Sequence, residues 1–145
     1  MQIRRAAKGI ISTNKGEIII VTGLSGRLNL PGGGIDKLES PRQAFLREID
    51  EEIDGLSQYI DDLNQQPETI SGPVSSKEGE QFTAEWTLFA ARLLIPASEL
   101  KVASTHEIQA ISAMTPEECM SNNQMSELAK TAINTTLIFN GSSLS

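Results

Sequence analysis

The chain has 145 residues, one cysteine and a formal net charge of −7, with 39% apolar and 21% charged side chains. Length and balance fit one globular domain over residues 1–145 that buries about two thirds of its unfolded surface without disulfides, and they exclude a disordered or collagen-like chain. The acidic excess excludes partners bound through broad basic surfaces, so neither a nucleic-acid duplex nor an anionic membrane is expected.

In chain order, Ala6 to Ser12 and Glu17 to Thr22 are Ile/Val-rich runs joined by Thr13-Asn14-Lys15-Gly16, which predicts an antiparallel strand pair. A glycine-rich stretch from Gly23 to Gly34 follows, with a short strand around Leu28 and Leu30. Ser40-Pro41-Arg42-Gln43 is a helix start with a serine N-cap, proline at the first helical position and a glutamine that closes a capping box. That helix is expected to end near Asp54, with Gly55 as its left-handed cap. Gln58 to Leu63 and Thr69 to Ser75 are weak strand candidates, and Gln81 to Ile95 is the best strand in the chain. Ile108 to Met114 reads as a strand, Thr115-Pro116-Glu117-Glu118 starts a short helix, and a last helix is expected from about Gln124 to Phe139. In that last helix Met125, Leu128, Ala129, Ala132, Ile133 and Leu137 form a core-facing stripe, and Gly141 to Ser145 is expected to fray. This order implies an α/β fold, a mixed sheet with helices packed on it. The lone Cys119 and the absence of a signal-like or ~20-residue apolar run predict a cytoplasmic protein.

Charge is unevenly placed. Met1 to Ile35 carries five bases and one acid, whereas Asp36 to Asp62 carries three bases and nine acids. On a helix starting after Ser40, Leu46, Ile49, Ile53 and Leu56 share one side. Glu48, Glu51 and Glu52, spaced i, i+3, i+4, converge on another, with Arg47 one turn before Glu51. A charged face of this kind on a solvated helix is ordinary. Two features set this one apart: like charges four residues apart repel unless a cation lies among them, and Leu30-Pro31-Gly32-Gly33-Gly34 lets backbone come close beside the helix. Oxygen-only ligands select hard divalent ions, Mg²⁺ or Mn²⁺, over zinc.

Gly33, Glu39 and Arg47-Glu48-Ile49-Asp50-Glu51-Glu52, separated by five and then seven residues, resemble the Nudix box of the MutT-like Nudix hydrolases. Leu30-Pro31-Gly32 and Ser40-Pro41 resemble its usual flanks. The resemblance departs where the family carries glycine and then an apolar residue after the paired glutamates. Asp54 and Gly55 stand there, followed by Leu56, as if the helix were one residue longer, and Leu38 replaces a common glycine. Arg4 to Thr22, Thr83 to Arg92 and Glu107 to Glu118 resemble the family's other segments more loosely.

The resemblance implies the Nudix α/β/α sandwich, a mixed β-sheet between helices. It implies a divalent-metal-dependent hydrolase that cleaves a pyrophosphate bond in a nucleoside diphosphate linked to another group. Glu48, Glu51 and Glu52, with the Gly32 carbonyl, would ligate Mg²⁺ or Mn²⁺. Arg47 would hold the glutamates in place, and Gly33 and Glu39 would support them. The general base would be a box glutamate or Glu107 on a later loop, so Arg47, Glu51, Glu52 and Glu107 form the expected catalytic set. Arg4, Arg27 and His106 are the expected substrate contacts, each weighed against a plain surface role, and Trp86 and Phe82 are read as core. Tyr59, Pro67 and Pro73 do not fit the positions that mark dinucleoside-polyphosphate hydrolases or ADP-ribose pyrophosphatases, which leaves a nucleoside triphosphate or related nucleotide as expected substrate. The alternative is a catalytically silent nucleotide-binding sensor of the same fold. A small-molecule nucleotide is the expected partner, and a homodimer is allowed for.

Overall fold

The computed structural model describes residues 2–76, 79–104 and 107–139. His106 and Gly141 to Ser145 lie outside the described residues, as do the side chains of Pro67 and Leu137. The first strands, β1 (Ile3–Ser12) and β2 (Ile18–Gly23), form the expected hairpin, with the Thr13 hydroxyl accepting from the backbone of Lys15 and Glu17 at 3.2 Å. The two strands meet in register only at Ser12 and Ile18. From there β2 turns away to pair with β3 (Leu28–Asn29) and with β7 (Ile108–Met114). The edge of β1 that β2 vacates is taken by β4 (Gly32–Gly34), antiparallel. The end of the glycine-rich stretch is therefore a strand, wedged into the sheet where the hairpin opens.

On its other edge β1 runs parallel to β6 (Gln81–Leu93) along its whole length, and β6 pairs antiparallel with the outer strand β5 (Ile60–Ser75). Among the described residues the sheet has seven strands, mixed as expected. β5 is one long strand where two short ones were expected. Its register slips between Asp61 and Asn64 and between Gln65 and Thr69, and those irregularities break the alternation on which a sequence reading depends.

Helix α1 (Pro41–Glu52) has the predicted capping box, with Ser40 Oγ accepting from Gln43 N and Gln43 Oε1 from Ser40 N. It stops at Glu52, earlier than expected, so the helix is not extended. Ile53 is extended and bridges Val102, while the Glu52 carbonyl accepts from Ala103 N and Asp54 N donates to the Lys101 carbonyl. Gly55 is left-handed (φ 67°) as expected, but it opens a 3₁₀ turn, Leu56–Tyr59, rather than capping the helix. A short helix, α2 (Pro116–Ser121), is capped by Thr115. α3 (Glu127–Phe139) starts later than Gln124, because Met125 bridges Leu28 and the Ser126 hydroxyl accepts from Ala129 N. Among the described residues no helix is long and apolar enough to cross a membrane.

Strand alternation gives the sheet two apolar faces, each with its own core. Ala7, Ile11, Ile19, Phe89, Ala91 and Leu93 pack against Phe45, Ile49, Ile53 and Leu56 from α1 and its exit. Ile10, Ile18, Ile20, Ala84, Trp86 and Leu88 pack against Met125, Leu128, Ala129, Ala132 and Ile133. Helices thus cover both faces, the α/β/α sandwich expected. The principal addition to the predicted helix face is Phe45, fully buried and stacked on Phe89 with ring centroids 5.0 Å apart. It lies against Gly9, where a Cβ would overlap its ring. This contact sets how closely α1 approaches β1, and so where the opposite face of α1 presents its acids.

Candidate active site

The site is built on the outer edge of β4. Gly9 N donates to the Pro31 carbonyl and Ile35 N to the Arg5 carbonyl. With Lys8 opposite Gly32 and Ala6 opposite Gly34, this pattern turns the peptide groups of Gly32 and Gly34 away from β1. Side chains meet them there. Gly32 N donates to Glu52 Oε1 at 2.8 Å, and the Gly34 carbonyl accepts from Arg47 at 3.0 Å. Glycine is required on this strand for two separate reasons. Gly32 has a φ of +125° and its Cβ would strike the Ala7 carbonyl, while a Cβ on Gly33 would enter the Glu48 carboxylate.

Arg47 organises the acids. Its Nε and one terminal nitrogen grip both oxygens of Glu39 at 2.6 and 2.7 Å, a two-pronged charge-assisted pair. The other terminal nitrogen reaches Glu48 at 2.9 Å and Glu51 at 3.2 Å, and Asp36 lies 3.4 Å from the guanidinium. The backbone N–H of Asp36 also donates to Glu39 at 2.9 Å. The hydrogen bonds from Arg47, then that of Asp36, bring the Glu39 carboxyl down to about 2. Glu39 in turn raises the Arg47 guanidinium above its ordinary value. One arginine on the first half of the site thereby aims three glutamates.

Carboxylate oxygens of Glu48, Glu51 and Glu107 all lie within 4.8 Å of one another, close enough to share a metal ion. Glu107 reaches the group because its loop is stapled to the end of α1 by the Ile53–Val102 bridge and the Ala103–Glu52 backbone bond, just before β7 begins at Ile108. Glu52 is placed differently. It is buried at 8% exposure and turned to the Gly32 N–H. Burial pushes its carboxyl up to about 7, against the pull of Lys8 and the Gly32 N–H. Burial also raises Glu48, partly offset by its Arg47 hydrogen bond.

The expected site residues therefore divide. Gly32, Gly33, Glu39, Arg47, Glu48, Glu51, Glu52 and Glu107 come together at the junction of β4, α1 and the loop before β7. Arg4 lies over the Phe82 ring, 4.2 Å from its centroid, and 3.8 Å from Glu80. Arg27 is exposed on the rim of a cleft of about 320 Å³ lined also by Val74, Gln81 and Ser126. Trp86 is buried, as expected, and Phe82 is partly buried. Sequence reasoning missed Lys8, which it counted only as one base of the amino-terminal stretch. Its ammonium is buried and donates to the carbonyls of Leu30 and Gly32 at 3.2 and 3.3 Å. Burial lowers its pKa, opposed by the charges of Glu52 and Glu48. The one available signal was a charge inside the apolar run Ala6-Ala7-Lys8-Gly9-Ile10-Ile11.

Known proteins share this arrangement of elements. The chain superposes on an Ap4A hydrolase of C. elegans with a TM-score of 0.70 at 17% identity, covering 97% of this chain and 99% of that one. It superposes on a MutT protein from Methanosarcina mazei Go1 at 0.75 and 16% identity, covering 96% of each chain. It also superposes on the dihydroneopterin triphosphate pyrophosphohydrolase of E. coli at 0.71 and 16% identity, covering 96% of this chain and 99% of that one. No curated protein matches the sequence. The NUDIX domain family model matches residues 2–134, which takes in every strand, all three glutamates of α1 and the Glu107 loop. With both its sequence pattern and its fold so accounted for, the chain belongs to the NUDIX family.

Proposed function

We propose that the chain cleaves a pyrophosphate bond in a nucleoside triphosphate or related nucleotide, using Mg²⁺ or Mn²⁺. The observation that carries this reading is the meeting of Glu48, Glu51 and Glu107 within 4.8 Å at the edge of the glycine strand. The donors fit the ion: Glu48, Glu51 and Glu107 offer carboxylate oxygens, and we add to them the backbone carbonyl of Gly32, an all-oxygen set that suits a hard divalent cation. Once bound there, such an ion screens substrate phosphates, polarises the phosphoryl group and lowers the pKa of an attacking water.

The chain's own residues supply the rest. Arg47 is a positioning residue that holds Glu48 and Glu51 in register with Glu39. Glu52, buried at the end of α1, fixes the Gly32 N–H. Glu107, exposed at the rim, completes the cation's ligand set and stands where a proton leaving water can be taken. Arg27, at the mouth of its cleft, is the base we assign to substrate phosphate.

The test is a panel of nucleoside triphosphates, nucleotide sugars and dinucleotides assayed with Mg²⁺ and Mn²⁺. Activity is expected on at least one class, abolished by EDTA, and reduced at least ~100-fold by Glu52→Gln. Full activity in that variant removes Glu52 from the site. Saturable nucleotide binding without product identifies a binding module instead.

A further inference from the structure

Lys8 is a charged group at this site that lies outside the glycine–glutamate pattern, and its surroundings are specific. It projects from the central strand β1, at 9% exposure, with its ammonium 5.2 Å from the centroid of the buried Trp86 ring. Both of its carbonyl partners, Leu30 and Gly32, flank Pro31, the residue through which the chain enters β4. Gly32 is consequently held on both sides of its Cα, at its N–H by a carboxyl and at its carbonyl by an ammonium. Glu52 takes its N–H at 2.8 Å and Lys8 donates to its carbonyl at 3.3 Å. Since the register turns both of these groups away from β1, that strand does not fix their direction, and the two side chains do so instead. A neutral side chain at position 8 would leave the buried carbonyl of Leu30 without that donor.

We propose that Lys8 is a positioning residue, whose ammonium sets the direction of the Gly32 carbonyl, the oxygen that would join the glutamates of α1 in holding a divalent ion. The proposal rests on the metal-site reading above. Lys8 acts through backbone, on the side of β4 that the Nudix box leaves open. The arrangement resembles the outer partners of metal ligands in general, whose loss weakens the site while the ligands themselves remain.

The experiment compares the full chain with Lys8→Met, which keeps an unbranched stem against Trp86, and Lys8→Arg, which keeps the charge and donors. Three quantities are read: thermal unfolding, exchange of the Gly32 amide proton in metal-free protein by NMR, and Mn²⁺ affinity by EPR titration. The first two need neither metal nor activity, so failure of the metal-site reading is seen separately, as absence of Mn²⁺ binding by the unaltered chain. In folded Lys8→Met, Gly32 exchange is expected to quicken and Mn²⁺ to bind at least ~10-fold more weakly, with Lys8→Arg recovering most of the affinity. Mn²⁺ affinity in Lys8→Met within about 2-fold of the unaltered chain overturns the proposal, as does equal loss in both variants, which marks a packing role. Tighter Mn²⁺ binding also overturns it, since Lys8 would then act only by repelling the ion. Should Lys8→Met not fold, Lys8→Gln takes its place, with the same outcomes read.

Discussion

At the scale of single residues, two positions show how closely chemistry and space are matched. Gly33 has no side chain because the Glu48 carboxylate occupies that volume. Gly33→Ala is therefore expected to leave the fold intact, move Glu48 off the cluster and remove most activity. Circular dichroism and Mn²⁺ titration of the same sample check this, and unchanged metal affinity would contradict the packing argument. Glu39 offers a pH test. Its carboxyl is lowered from 4.5 to about 2, first by the Arg47 hydrogen bonds. A folded value below the unfolded one means that the folded state holds its charge more tightly. The stabilisation is fully present above pH 4.5 and is lost as pH falls towards 2. Glu39→Gln should flatten that stretch of a stability–pH profile measured by urea unfolding, and an identical profile would show that the pair with Arg47 does not couple to folding.

At the scale of elements, α1 joins site and core through its two faces. Glu48 and Glu51 look outward while Phe45 and Ile49 are buried beneath them. Phe45→Ala removes a ring stacked on Phe89 and opens a cavity over Gly9. The cost is expected to be about 3–5 kcal/mol, read from denaturant unfolding, together with a loss of activity as α1 settles towards the sheet. A small stability change would mean that the helix closes the gap without moving its acids. The elements also show where sequence reading holds and where it fails. The capping box of α1 is a contact between residues three apart, so Ser40 and Gln43 announce it directly. The early end of α1 is not local: Ile53 leaves the helix because it pairs with Val102. The same holds for the start of α3, where Met125 pairs with Leu28 before the helix can begin.

At the scale of the whole molecule, acidity becomes a question of occupancy. The carboxylates gathered round Arg47 outnumber the positive charges beside them, so a bound cation is expected to stabilise the folded chain by mass action. Thermal unfolding is expected to shift upward with Mg²⁺ or Mn²⁺, and Glu48→Gln with Glu51→Gln should abolish the shift. A shift that survives both substitutions would place the cation elsewhere on the chain. The net charge of −7 is thus partly a local device. Part of it is gathered where Glu48, Glu51 and Glu107 meet within 4.8 Å, the group to which the proposed function assigns the cation.

The sequence alone determined whatever depends on short-range periodicity. It carried the hairpin, the capped acidic helix, the spacing of Glu48, Glu51 and Glu52, and the alternating strands that require helices on both faces. Such features are legible because each is set by residues within a turn or two of one another. Only tertiary structure decided that the glycines form a strand edge, that Glu107 joins Glu48 and Glu51, and that Glu52 and Lys8 hold Gly32 by its N–H and its carbonyl. Those pairings join distant segments, and they exist because the hairpin opens just where β4 can enter beside β1.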